Sequence, residues 1–396
     1  MSEAEAGAGG TQPMGSTGIW VTPPPSAARV FGLRPIDRLR RALPGCAPVV
    51  ESPTAPPPHL ARRWLVVRGD AVLDGRLLEA LLAARDVVLL GRPEQGAIPL
   101  AARVRGEALE DAGHWVRDGK PAPPGPVAPA GPDDLVHPYD AALRKRQPAL
   151  LAALTPENSR DVEWELFQAS YKGVTDWVTR TVWPVPAFHV VRTCAGLGVQ
   201  PNAVTLLSWL LVLGATAAFA GGLLGAGLAM AWAMTFLDTV DGKLARVTLT
   251  SSRVGHVLDH GLDLVHPPFW WWAFGVGLGA FGAAADPILG PATWACVAGY
   301  GVGRLLEGFF LAGFGFEIHS YRPIDSVFRQ FTARRNPNLV LLSAGLLAGR
   351  PDLGLVAVAG WTLFSILFHA GRLAVAGLRR ARGTPVTPWE EEVSVS

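Results

Sequence analysis

From Pro201 onward the chain falls into long apolar runs separated by short basic stretches, and this feature limits the possible fold more than any other. Six candidate membrane spans can be drawn, at about 203–221, 223–245, 254–280, 291–313, 337–349 and 353–376. A helix of roughly 20 apolar residues crosses the ~30 Å hydrocarbon core, and inside lipid every backbone polar group must be satisfied within the segment. The fifth run is short for that distance and requires a thin membrane, a tilted neighbour or a shifted boundary. The connectors alternate in charge. One set carries Lys243, Arg246 and Arg253, then Arg322, Arg329, Arg334 and Arg335, then Arg379, Arg380 and Arg382, whereas the opposite set carries only Arg350. The positive-inside rule places the basic connectors, and with them both termini, on the cytoplasmic side. Charged residues make up 17% of the chain against roughly 25% in ordinary soluble proteins. A net charge of +2 gives no basic bias toward nucleic acid. Cys46, Cys194 and Cys296 are far apart and form no zinc or disulfide pattern.

The first half is organised differently. Residues 1–17 lack a basic segment followed by an apolar core, so they read as a disordered tail and not as a secretory signal. Residues 18–118 alternate strands and helices. The clearest unit is RRWLVVRGD as strand, AVLDGRLLEALLAAR as helix and DVVLLGRP as strand, a compact βαβ pattern. Residues 119–133 form a Pro-rich linker. Residues 134–200 hold Trp164, Trp177 and Trp183 with Arg180, which suits helices at a membrane surface. A membrane domain follows over 201–382, and 383–396 is a tail.

Chemistry concentrates in FLDTVDGKLARVTLTSSRVGHVLDHGLDLVHPP. Asp238 and Asp241 lie three apart on one helix face at the end of the second span. Asp259 and Asp263 lie four apart on one face early in the third. The polar stretch Thr248–Ser252 between them suits a turn, and an antiparallel hairpin there sets Asp238 level with Asp263 and Asp241 level with Asp259. Four carboxylates at membrane depth repel one another and cannot all stay ionised without cations. Hard oxygen ligands clustered this way suit Mg²⁺ or Mn²⁺, which would bridge a pyrophosphate and offset charge at a transferred phosphorus.

The order Asp238-x-x-Asp241-Gly242-x-x-Ala245-Arg246, eight residues, Gly255-x-x-x-Asp259-x-x-x-Asp263 resembles the motif of the CDP-alcohol phosphotransferase (CDP-alcohol phosphatidyltransferase) family without departure. At ordinary residue frequencies such a match arises by chance well below roughly one time in a million. Pro201-Asn202-x-x-Thr205 also resembles the family, and the likeness extends over about residues 198–380. The resemblance implies a mainly α fold with six transmembrane helices, preceded here by a small cytoplasmic α/β domain, and a homodimer. It implies metal binding by Asp238, Asp241, Asp259 and Asp263, with two ions. Asn202, Thr205, Asp238, Gly242, Ala245, Arg246 and Gly255 would lie near the nucleotide, and Asp263 would be the general base. The implied partners are the lipid bilayer, a CDP-alcohol donor such as CDP-diacylglycerol or CDP-inositol, and a hydroxyl acceptor, with release of CMP. The family also uses basic residues to hold phosphate-bearing acceptors, which singles out Arg334 and Arg335, with His260 beside them. A non-catalytic membrane scaffold that keeps the fold is the alternative, and no inverted repeat points to a transporter.

Smaller features remain open. His256 and His260 precede Asp259 and Asp263 by about one turn, and His266 opens HPPFWWW, whose prolines are expected to kink the helix. Arg304 and Glu307, three apart, form either a mutual pair or a substrate contact. The segments ARVFGLRPIDRLRRAL and WLVVRGDAVLDGRLLEALL resemble parts of a sugar-phosphate nucleotidyltransferase, a domain fused to some inositol-phosphate enzymes of this family. Here TPPPSAAR stands where the glycine-rich nucleotide loop is expected, and the region is short. Backbone amides of such a loop hold the triphosphate, so this domain is expected to be inactive.

Overall fold

The computed structural model describes residues 17–43, 49–56, 58–92, 96–120, 127–140, 143–280 and 286–389, with backbone alone at 58, 253, 254, 256, 258–260, 262 and 280. The expected tail over 1–17 lies outside these residues except for Thr17, as does the end of the expected tail over 383–396. The chain divides into two compact units, Met1–Asp140 with Arg146–Ala169, and Ala141–Lys145 with Ser170–Ser396.

The first unit is α/β. Its strands are β1 Thr17–Val21, β2 Val49–Glu51, β3 Arg63–Val67, β4 Ala71–Leu73, β5 Val87–Leu90, β6 Pro99–Arg105 and β7 Ala128–Ala130. Its helices are α1 Pro35–Ala42, α2 Gly75–Ala83, α3 Leu109–Asp118, α4 Pro132–Leu135 and α5 Ser159–Ala169. Six strands form one sheet in the order β2-β1-β3-β6-β5-β7. Successive residues of a strand face opposite sides, and both sides are covered. Ile19, Val21, Leu65 and Val67 pack with Leu77, Leu78 and Leu81 of α2. Trp20, Trp64 and Val66 pack with Leu109, Ala112 and Val116 of α3. At Gly113 a Cβ would stand 2.0 Å from the Trp20 ring, so only glycine lets α3 approach.

Two expectations change in this unit. The strands on either side of α2 are not neighbours, because β6 lies between β3 and β5 and is antiparallel to both. Every β6 residue except Arg105 is buried, which suits a central strand. Part of the Pro-rich stretch is also not free of the sheet, since β7 pairs parallel to β5. Helix α5, part of the stretch expected at a membrane surface, packs in this unit. It buries Val162 and Phe167, and Glu163 accepts the Phe31 amide at 2.7 Å.

The second unit is helical: α6 Trp177–Thr181, α7 Pro184–Gly196, α8 Pro201–Ala220, α9 Leu224–Val247, α10 Arg253–Ala280, α11 Leu289–Phe314, α12 Pro323–Arg329, α13 Arg335–Leu347 and α14 Pro351–Ala381. All six expected apolar runs are helices. Among the described residues three of them, α8, α11 and α14, are long and apolar enough to cross a membrane. Helix α9 carries Asp238, Asp241, Lys243 and Arg246 in its last turns. The 13 residues of α13 reach only about 20 Å at 1.5 Å per residue. Helix α10 continues through Pro267 and Pro268.

Val212, Phe219, Met234, Trp270, Phe274 and Leu339 are among the residues of the bundle core. Among the described residues, α8 packs against both α9 and α10, which touch each other sparsely. The expected α9–α10 hairpin is therefore opened by a third helix. At the tight α13–α14 crossing, a Cβ on Gly345 would stand 2.6 Å from the Gly354 Cα.

Candidate active site

Where α9 nears its end, Asp238 faces a residue that the sequence could not place. Arg335, the first residue of α13, donates from Nη2 to Asp238 Oδ2 at 2.5 Å and from Nη1 to Asp263 Oδ1 at 2.6 Å. One guanidinium thus joins the first and last motif aspartates across three helices. The Asp238 side chain is 13% exposed and that of Asp263 is 53% exposed, so Asp263 is the more open to an incoming molecule. Tyr300 of α11 donates its hydroxyl to the Asp263 backbone oxygen at 2.8 Å. The side chains of Asp259, His256 and His260 lie outside the described residues.

One helical turn along α9, buried Asp241 accepts a hydrogen bond from buried Thr205 of α8 at 2.5 Å. That bond spans 36 residues and ties Pro-Asn-x-x-Thr to the aspartate motif. Asn202, Thr205, Gly242, Ala245, Arg246 and Gly255, all expected near a nucleotide, line one pocket together with Asp241 and Ser252, about 590 Å³ in volume. A Cβ on Gly255 would stand 2.8 Å from Asn202 Oδ1, so this glycine lets α8 and α10 meet there. Asp238, the remaining member of that group, lines the larger neighbouring cleft, which Gly242 and Arg246 also reach.

Eight basic side chains line that open cleft against five acidic ones. Lys243 is buried there, donating to the Ser170 oxygen at 3.0 Å and lying 3.2 Å from the Tyr171 ring centroid. Arg334, expected beside Arg335 as an acceptor ligand, is held by a different acid. Its Nη2 donates to Glu307 Oε2 at 2.6 Å, and Arg304 Nη2 reaches the same oxygen at 2.5 Å. The mutual Arg304/Glu307 pair is thus formed, and both residues line the cleft.

Arg329, at the end of α12, is the cation the sequence did not single out. Its Nη1 is buried with no hydrogen-bond partner, and it makes no ion pair among the described residues. Burial, reinforced by the charge of Arg334, lowers its pKa to about 9, which leaves it a cation at neutral pH. Nothing in the sequence separated it from the other loop arginines, because commitment to a partner is a tertiary property.

Glu307, His319 and His369 bring possible metal-ligand atoms within 4.8 Å of one another. Two guanidiniums already neutralise Glu307, so a dication there would face net repulsion, and the group is an ion-pair network. Burial lowers the His319 pKa to about 3 and keeps the ring neutral. Its Nε2 lies 3.3 Å from Glu307 Oε1, and as the neutral Nε2–H tautomer it donates to that oxygen.

Residues 199–312 match the family model described as CDP-alcohol phosphatidyltransferase. This stretch of the chain is similar to CDP-alcohol phosphatidyltransferase domains. Its boundaries enclose the paired aspartates, both helices that carry them and Arg304. The archaetidylinositol phosphate synthase of Pyrococcus horikoshii is 35% identical over 85 residues, 20% of this chain and 42% of that protein. The chain thus matches less than half the length of this curated relative. Two crystal structures of Mycobacterium tuberculosis phosphatidylinositol phosphate synthase also align. The one with CDP-DAG bound is 22% identical over 47% of this chain and 92% of that one, with a TM-score of 0.38. The one in complex with manganese and citrate is 20% identical over 47% and 88%, with a TM-score of 0.39.

Proposed function

We propose that this chain is a membrane enzyme that moves the phosphoalcohol group of a CDP-alcohol to the hydroxyl of a phosphate-bearing acceptor, releasing CMP. The observation that carries this reading is the shared cleft. Asp238 and Asp263 open into the same basic cavity that holds Arg304, Arg329 and Arg334, and Asp241 and Gly242 face the adjoining pocket. A donor pyrophosphate and an anionic acceptor both require such a surplus of positive charge, and guanidinium is the group best shaped to grip phosphate. The likeness to archaetidylinositol phosphate synthase favours an inositol phosphate as acceptor.

The chemistry assigns an order to the residues. The acceptor oxygen bonds to the phosphorus that carries the donor alcohol, the bond from that phosphorus to the CMP oxygen breaks, and CMP leaves. Asp263 takes the hydroxyl proton, since its half-exposed carboxylate has one oxygen on Arg335 and the other available. Asn202, Thr205, Gly242, Ala245, Arg246 and Gly255 line the space for CDP.

Asp238, Asp241, Asp259 and Asp263 are the residues that would hold Mg²⁺ or Mn²⁺. The donor set fits hard cations, and because Arg335 gives only one nitrogen to each of Asp238 and Asp263, an ion would have a single guanidinium to displace. Bound there, the ions would neutralise the pyrophosphate as a Lewis acid. In CMP-release assays with a CDP-alcohol and an acceptor panel, activity should vanish in EDTA and return with Mg²⁺ or Mn²⁺. Full turnover in chelator would remove the metal from this reading.

In this reading α8, α9, α10, α11, α13 and α14 sit in the bilayer, with the basic connectors on the cytoplasmic side. Leu206, Leu210, Leu213, Phe309, Leu363 and Leu367 are exposed on α8, α11 and α14, an apolar surface that suits lipid.

The first unit takes no part in this chemistry. Asp70, at the strand-end position where a nucleotidyltransferase would hold metal, is buried and bound by Arg68 Nε at 2.6 Å and Nη2 at 2.8 Å. That bidentate grip fills the place of a cation. The full chain should release no pyrophosphate from CTP and an alcohol phosphate, and release that disappears in Asp70→Ala would refute the assignment.

A further inference from the structure

The carboxylate of Glu307 does something that a simple ion pair does not require. One of its oxygens receives two guanidiniums, Arg304 from its own helix and Arg334 from the N-terminus of α13. Its other oxygen receives His319 Nε2. The Glu307 side chain is only 17% exposed, so the group is shielded and its charges are felt strongly. Without this anion, Arg304 and Arg334 would repel each other, and each long side chain could swing into the open cleft.

With the anion in place, each arginine spends only part of its donor fork. A guanidinium offers five N–H donors in a fixed plane, and the bond to Glu307 uses Nη2 of each. Arg334 Nε is buried with no hydrogen-bond partner. Both arginines border the cleft, as does Arg329. Beyond the Nη2 bonds to Glu307, each fork keeps further N–H donors for an anionic oxygen arriving in the cleft. Burial by itself would lower the Arg334 pKa, but the Glu307 carboxylate, with Glu317 and Tyr300 adding to it, raises it overall, so the residue stays charged before any ligand arrives.

We propose that Glu307 is a positioning residue that fixes Arg304 and Arg334 as one fork, so that the site selects an acceptor with a phosphate over the same alcohol without one. This inference rests on the proposed transferase reading and adds to it the residue that sets acceptor choice. It also gives the acid a sign that simple electrostatics would reverse. An acid near an anion site ought to weaken anion binding, so its removal ought to help. Positioning predicts the opposite.

The test uses the full chain in detergent, with CMP release measured for inositol 1-phosphate, glycerol 3-phosphate and their free alcohols. Glu307→Gln keeps the shape and removes the charge. It should raise the acceptor KM roughly tenfold to a hundredfold, the effect of losing charge-assisted hydrogen bonds. The donor KM and kcat should stay within about threefold, and Glu307→Asp should recover most of the loss. An unchanged or lower acceptor KM would overturn the inference. So would a fall in kcat of equal size for all acceptors together with a lower thermal midpoint, since that marks a structural role. Should the wild type release no CMP with any acceptor, the transferase reading fails by itself, and calorimetric titration with inorganic phosphate then decides the positioning role. Binding weakened roughly tenfold in Glu307→Gln supports the fork, and equal or tighter binding rejects it.

Discussion

Asp263→Asn should lower turnover by roughly 10²–10⁴, the usual cost of losing a general base, and leave CDP-alcohol binding within a few-fold. An asparagine keeps the size of the side chain, and its Oδ1 still accepts from Arg335, whose Nη1 stands 2.6 Å from Asp263 Oδ1. The oxygen lost as a proton acceptor is the one that Arg335 does not engage. Asp238→Asn should behave differently. Asp238 lies on α9 with Asp241, the wall of the candidate nucleotide pocket, and losing its charge should weaken metal and donor binding together. Calorimetric titration of a CDP-alcohol with Mg²⁺ present separates the two variants. If Asp263→Asn abolishes donor binding as fully as Asp238→Asn does, Asp263 is first of all a ligand and the base lies elsewhere, with His260 the next candidate.

The second large effect belongs to Arg335. Arg335→Gln would leave Asp238 and Asp263 facing each other without the cation that now joins them. Removing one partner of a buried ionic group costs about 3–5 kcal/mol, and the half-exposed Asp263 reduces this to about 2–3 kcal/mol through solvent screening. In EDTA the thermal midpoint should fall by about 5–10 °C, given roughly 2–4 °C per kcal/mol for a unit of this size. Saturating Mg²⁺ or Mn²⁺ should recover most of the loss, and direct titration should show the metal binding more tightly than in the wild type, because no guanidinium has to be displaced. An equal drop with and without metal would mean that Arg335 serves only to pack α13. If Arg335 also holds the acceptor, as its place in the basic loop suggested, the variant should raise the acceptor KM as well.

These two experiments concern a centre that was partly legible in the chain. Asp238 and Asp241 share a helix face because three residues make nearly one turn, and nothing distant is needed to see it. Thr205 was tied to the site by the likeness of Pro-Asn-x-x-Thr to the family's pattern, and it does reach Asp241. The hairpin inferred from matched levels correctly brought Asp238 close to Asp263, yet for an incomplete reason. Helix α8 packs against both α9 and α10, and the link between the two acids is an arginine 97 residues from one and 72 from the other.

The sequence by itself determined the apolar helices, the strand-and-helix alternation of the first unit, and the placing of Asp238 and Asp241 one turn apart on one helix. All of these follow from periodicities of 2 and 3.6 residues acting on neighbours. The tertiary structure decided the rest: that β6 lies between β3 and β5, that Arg334 binds Glu307 while Arg335 binds Asp238 and Asp263, and that Arg329 makes no ion pair among the described residues. Arginines clustered in one basic loop are equivalent to any local rule. Their fates diverge only when packing brings particular carboxylates within reach and excludes the water that would otherwise have satisfied every one of them alike.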